Sequence, residues 1–236
     1  MRIIYRISDA GYNKVKPDYI DNEKCLANAT KVFKDADWSI LADNISEETN
    51  DMIQKYHPRS EISYLSVGHG AGTFNIALNE ALSYKDDEIV YFIENDYLHK
   101  PNSQKILEEG FKLGAKFVSL YDHPDKYLDP SKGGNPYCEG GAEATRVYLS
   151  ESTHWKITNS TTMTFAAKVE NEPCMDSVPD AVLNVDDEPF DVHTALLITV
   201  SANRTLSSLP TSSFKSLISI LDAVSSTPTY EPKFTS

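Results

Sequence analysis

Basic charge is scarce in this 236-residue chain: 22 Lys and Arg stand against 35 Asp and Glu, a formal net charge of −13. A general nucleic-acid binder needs a basic footprint to meet phosphates, so that class is excluded. A small polyanion is compatible with such a field only where a metal ion or local basic groups offset it. Cysteine is scarce too. Cys25, Cys138 and Cys174 are far apart and follow no metal-ligand spacing. That usage implies a reduced, cytoplasmic protein without a disulfide framework. No apolar run approaches the length of a membrane span. Residues 1–14 hold a short apolar run and no small-residue cleavage site, and read as a first strand, not a signal peptide.

What is present suits a globular core. Hydrophobic residues make up 40% and charged residues 24%. The length fits one large domain or one domain with an appendage. Strands are predicted at 3–7, 38–42, 62–67, 88–93 and 117–120, where β-branched and aromatic residues run together. Helices are predicted at 22–33, 46–56, 73–83 and 103–113 from apolar positions at helical spacing, with Asp21 and Ser46 as N-caps. Cys25 falls on the apolar face of the first helix and reads as packing. Strand and helix alternate about five times, which implies an α/β fold with a mostly parallel central sheet flanked by helices.

The second half reads differently. Residues 122–143 are rich in Asp, Pro and Gly and form a long loop, a kind of segment that tends to be functional. Strands without intervening helices follow at 145–149, 155–158 and 163–169, as antiparallel additions to the sheet. Residues 190–200 read as helical, and 201–236 form a Ser/Thr/Pro-rich extension or linker, compatible with a piece of a longer multi-domain chain.

Chemistry concentrates at strand ends. The fourth strand stops in Glu94-Asn95-Asp96, the second in Asp43, the first in Ser8-Asp9. Carboxylates beyond the carboxyl ends of parallel strands stand where open α/β sheets bind ligands. Hard cations such as Mg2+ or Mn2+ take one or two carboxylates plus substrate phosphates. The third strand leads into GHGAG, residues 68–72, a glycine loop that can present backbone N–H groups to a phosphate. It lacks the lysine of a P-loop and the glycine spacing of a dinucleotide fingerprint.

In this order the motifs LADNISEET, GHGAGTFN and VYFIEND resemble those of GT-A-fold glycosyltransferases of the family 2 type, over roughly residues 1–125. The resemblance implies a GT-A-like, Rossmann-like domain over 1–200, with a nucleotide-binding half at 1–125 and an acceptor half at 126–200. It implies that Asp43, with Ser8 and Asp9, contacts the nucleotide base. Gly72 and Asn75 belong to the glycine loop and its helix. Glu94 and Asn95 take the place of the family's ribose-binding acid and its neighbour, with Glu94 one methylene longer than the usual Asp. Asp96 holds Mn2+ or Mg2+, and Arg6 or Lys126 lies near the diphosphate. In DDEPFDVHTALL the family's general base falls on Asp187, with Asp191 as the alternative and plain helix capping as the bland reading. His193 is a further metal ligand or a packed side chain. His154 and Trp155 border the acceptor, although a lone Trp beside a strand is also a core residue.

The implied activity is metal-dependent transfer of a sugar from a nucleotide-diphosphate sugar, UDP-linked by family habit, to a hydroxyl of a glycan or other acceptor, with inversion. A sugar-phosphate nucleotidyltransferase and a nucleotide- or glycan-binding protein without turnover are the alternatives. The first would need a basic glycine-rich loop after strand one, of which SDAGYNKVK is a poor version.

Overall fold

The computed structural model of the chain describes residues 1–9, 16–135, 145–158 and 161–169, and the backbone of 196–198. The first half alternates as its pattern predicts. Strand β1 (Arg2–Ser8) leads to helix α1 (Asn22–Val32), β2 (Asp37–Asp43), α2 (Glu47–Tyr56), β3 (Glu61–Leu65), α3 (Gly70–Ala81), β4 (Ile89–Glu94), α4 (Ser103–Lys112) and β5 (Phe117–Val118). Local chemistry starts the helices. The Asp21 carboxylate accepts the Lys24 N–H at 2.7 Å, and the Ser46 hydroxyl accepts the Thr49 N–H at 3.2 Å.

Beyond two short 3-10 turns come β6 (Val147–Leu149), β7 (His154–Thr158), β8 (Phe165–Lys168) and β9 (Leu196–Ile198). The main sheet has six strands in the order β3-β2-β1-β4-β8-β5. β1 pairs in parallel with both β2 and β4, and β2 with β3. β8 enters antiparallel between β4 and β5. The molecule is therefore α/β, with a mostly parallel, Rossmann-like sheet and an antiparallel strand contributed by the second half. A small sheet, β6-β7-β9, lies apart from it in strand pairing. Here two expectations fail. β6 and β7, expected as antiparallel additions to the main sheet, belong to this small one instead. Leu196–Ile198, inside the segment read as helical, pairs in parallel with β7. A short apolar run carries no period that separates a strand from a helix.

The pleat sorts the core into two layers. Ile3, Tyr5 and Ile7 of β1 pack with Ile40, Tyr91 and Ile93 against α1, α2 and α4. Ile4, Leu41, Val90 and Phe92 face the other way, onto Phe74, Ala77 and Leu78 of α3. Each such fully buried side chain contributes about 1.5–3 kcal/mol relative to exposure, so the sheet carries both layers on one rigid frame. Among the described residues, no helix is long and apolar enough to cross a membrane.

Candidate functional site

The chain runs outward from β1 through β2 to β3, then returns across the sheet to β4 on the other side of β1. That reversal opens a crevice at the strands' carboxyl ends, where open α/β sheets bind ligands. A cleft of about 260 Å3 lies there, walled by the ends of β1, β2 and β4 and by the start of α3. Arg6, Ser8, Asp43, Glu94, Asn95 and Asp96 all line it, so six of the residues singled out in the sequence meet in one place.

Their hydrogen bonds divide them. Asp43 is 3% exposed, and its Oδ1 and Oδ2 accept the backbone N–H groups of Val67 and Gly68 at 2.6 and 2.9 Å. Asn44 adds a third bond, to Oδ1, at 3.0 Å. The carboxylate expected to read a base thus clamps the glycine loop. Asp9 stands on the rim. It accepts from the Ser46 N–H at 2.6 Å, the Thr49 hydroxyl at 2.7 Å and the Asn22 amide at 3.2 Å. Partial burial pushes its pKa up, but those donors together pull it below the usual carboxylate value. Asp9 ties β1 to the start of α2, and it does not line the cleft.

Arg6 forms part of the wall. Its Nη1 donates to the Gly70 carbonyl at 3.0 Å and to the Thr73 hydroxyl at 3.4 Å; its Nη2 donates to the Met163 carbonyl at 3.4 Å. The same Nη2 lies 3.3 Å from Glu94 Oε1. Burial lowers the guanidinium pKa and the Glu94 carboxylate raises it again. An arginine stays charged under such opposing pulls. Glu94 is held at its other oxygen by the Thr164 hydroxyl at 3.3 Å. Asn95 donates to the Ser8 carbonyl at 3.2 Å and to Asn22 at 2.7 Å, stitching β4 to β1 and α1. Asp96, one residue on, is half-buried and lines the cleft, and among the described residues its carboxylate has no hydrogen-bond partner.

The start of α3 supplies the remaining wall. His69 is its N-cap, with Nδ1 accepting the Gly72 N–H at 3.0 Å. Gly72 is packed too closely for a side chain and Asn75 lies half-buried on the helix; neither lines the cleft. His69 and Gly70, members of the glycine loop expected to face a phosphate, line it, and so do Thr73 and Lys16, for which the sequence analysis offers no such role. Histidine is not a favoured capping residue, so the only signal for His69 was its place between two glycines at a helix start.

The acceptor residues separate. Trp155 is 0% exposed, donates its indole N–H to Ser150 at 2.9 Å and packs over Gly110. It is a core residue and offers no face to an acceptor. His154, beside it, is exposed and lies outside the cleft lining. The loop at 121–127 is structured: the Lys156 ammonium lies 2.9 Å from Asp122, and His123 lies 2.9 Å from Asp125. Lys126 is 1% exposed and does not line the cleft, so it does not reach a diphosphate there. Cys25 is buried, which pushes its thiol up to about 11 and keeps it inert. Asp187, Asp191 and His193, and the extension at 201–236, lie outside the described residues.

Among the described residues, no three His, Cys, Asp or Glu side chains cluster as a metal cage. Mg2+ and Mn2+ do not require one when phosphates complete the shell. A strand-end carboxylate with open lone pairs, as at Asp96, fits that mode. Comparison with known proteins finds no family model and no curated protein that matches the chain.

Proposed function

We propose that the chain is a metal-dependent, GT-A-like glycosyltransferase that uses a nucleotide-diphosphate sugar. The observation that carries this reading is the open carboxylate of Asp96, at the end of β4, in the crevice beside β1. Among the described residues that line the crevice, Asp43 and Glu94 have hydrogen-bond or ion-pair partners, whereas the Asp96 carboxylate has no hydrogen bond and keeps its lone pairs for a ligand. Asp96 would hold Mn2+ or Mg2+, which when bound offsets charge on the departing diphosphate. Glu94, braced by Arg6 and Thr164, would present what remains of its acceptor capacity to the ribose.

In the transfer, the bond from the anomeric carbon to the diphosphate oxygen breaks and a bond to the acceptor oxygen forms. The acceptor's proton passes to a carboxylate, Asp187 or Asp191, acting as general base. Attack from the face opposite the leaving group inverts the anomeric centre.

The test is thermal-shift titration of the full chain with nucleoside di- and triphosphates and nucleotide sugars, with and without Mn2+. A ligand of the folded state raises the midpoint by mass action. A metal-dependent rise with a diphosphate or its sugar is expected. A rise with triphosphates alone favours a nucleotidyltransferase, and no rise with any of them sinks the transferase reading.

A further inference from the structure

β4 ends at Glu94 and α4 begins at Ser103, and the chain between them is neither strand nor helix. Asp96 therefore has no regular backbone pairing to hold it in the crevice. Side chains hold its neighbours instead. Before it, Glu94 is fixed by Arg6 and Thr164, and Asn95 by Ser8 and Asn22. Beyond it, Asn28 grips both backbone groups of His99. The His99 N–H donates to the Asn28 side-chain oxygen at 2.6 Å, and the His99 carbonyl accepts the Asn28 amide at 2.9 Å.

Tyr97, the residue after Asp96, takes its tie from the second half of the chain. Its hydroxyl donates to the Thr162 hydroxyl at 2.9 Å. β8 runs antiparallel beside β4, with Phe165 opposite Phe92. The residues just before β8 therefore lie at the carboxyl end of β4, beside the crevice. There Thr164 meets the Glu94 N–H and carboxylate, and Thr162 meets Tyr97. One short segment thus grips the chain on either side of Asp96. That segment is itself anchored. The Thr162 oxygen accepts the Thr164 N–H at 3.4 Å, and the Thr164 carbonyl accepts the Ser119 hydroxyl at 3.1 Å, just past β5.

Ring and hydroxyl of Tyr97 have separable tasks. The ring packs edge-on against Tyr121, with centroids 5.5 Å apart and planes at 86°. The hydroxyl directs the turn. Burial pushes the phenol well above its usual range, and Glu94 adds to that; the Thr162 bond pulls it down and Asp96 raises it again. The phenol therefore stays protonated at neutral pH, as a donor, close to both carboxylates.

We propose that Tyr97 is a positioning residue: its bond to Thr162 fixes the turn that carries Asp96, so that the carboxylate is already in place when a divalent cation arrives. The inference rests on the function proposed above, which assigns the cation to Asp96. What it adds is a role for Tyr97 and for residues 161–164, from the half of the chain otherwise read as the acceptor side. Groups behind a metal ligand set affinity because they hold the ligand in the orientation the ion needs. A carboxylate on a loose turn would lose more conformational freedom on binding.

The test is equilibrium dialysis of labelled UDP against the full chain, in EDTA and over a series of Mn2+ concentrations. The variants are Tyr97→Phe, which keeps the ring and removes the hydroxyl, and Thr162→Val, which keeps the shape and removes the acceptor. Each should raise the Mn2+ concentration for half-maximal UDP binding by about tenfold, with full binding regained at high Mn2+. The double variant should need no more Mn2+ than either single one, because both remove the same bond. A hydroxyl that serves stability alone would lower the thermal midpoint and leave the Mn2+ requirement at the wild-type value. That result overturns the positioning role and keeps the transferase reading. An additive loss in the double variant does the same. If the wild type binds UDP no better in Mn2+ than in EDTA, the metal role of Asp96 falls and this inference falls with it.

Discussion

Two rims of one crevice use carboxylates in opposite ways. At the β1–β2 rim, Asp9 and Asp43 sit at or just beyond paired strand ends, with Ser8 in register with Asp43. At the β4 rim, Glu94 is in register with Arg6, and Asp96 follows two residues later. All four acids crowd the carboxyl ends of these strands, with Glu94 two residues short of the level of Ser8 and Asp43. Backbone N–H groups reach Asp9 and Asp43 because a loop or a helix start folds back over them. None reaches Asp96 among the described residues. The first pair builds the wall and the last acid faces what enters. A strand-end acid is therefore assigned by the loop that returns to it, which lies 24 and 25 residues away for Asp43.

The comparison breaks most visibly at Asp43. Asp43→Ala removes the acceptor of two backbone donors at a buried position. Leaving each buried donor unmet costs about 1–3 kcal/mol, so a loss of about 2–4 kcal/mol is expected after partial rescue by water. Urea denaturation of wild type and variant measures it. A change under 1 kcal/mol would show that Asp43 is not the clamp and would free it for a ligand role.

The fold was largely legible because the first half repeats one unit with clear periods. Apolar runs marked β1 to β4, and Asp21 and Ser46 marked helix starts within a residue. What failed had no period to read. Residues 196–198 are three apolar residues, too few to tell strand from helix, and their strand state depends on the distant partner β7. The site was legible as a location, since topology alone brings strand ends together. Its roles were not. Asp43 and Asp96 are the same residue type in the same kind of place, and only long-range hydrogen bonds separate them. Trp155 was ambiguous for a similar reason. The space above Gly110 that swallows its ring is made by α4, more than forty residues upstream.

A smaller effect is expected at Asp9, and it carries a sign. Its folded-state pKa lies below the ordinary 3.8, held there by the Ser46, Thr49 and Asn22 donors against partial burial. A depressed carboxyl contributes stability in full above the unfolded value, and loses it as pH falls through the folded value. Asp9→Asn should therefore cost about 1 kcal/mol at neutral pH, allowing for solvent screening at this exposed position. The gap between the two proteins should close between about pH 5 and pH 2. Denaturation curves across that range read it directly. A gap that persists at low pH would mean that the tie to α2 does not depend on the charge.

The smallest effect on stability, and the sharpest on binding, is expected at Asp96. With no hydrogen bond to lose among the described residues, Asp96→Ala should change stability by less than about 0.5 kcal/mol, as surface substitutions do. For a chain of this size that is a midpoint shift of about 2 °C or less. Binding of a nucleoside diphosphate in Mn2+ should fall by more than about tenfold, a loss that follows even from disturbing a partner of a metal ligand. In EDTA the variant should bind no worse than the wild type, because only the metal-linked part of the affinity passes through this carboxylate. A variant that unfolds like Asp43→Ala would put Asp96 in the scaffold class and erase the difference between the two rims. Undiminished affinity in Mn2+, with stability unchanged, would leave the rims distinct but move the metal elsewhere. Loss in Mn2+ with the fold intact is the outcome in which one crevice divides its acids between building and binding.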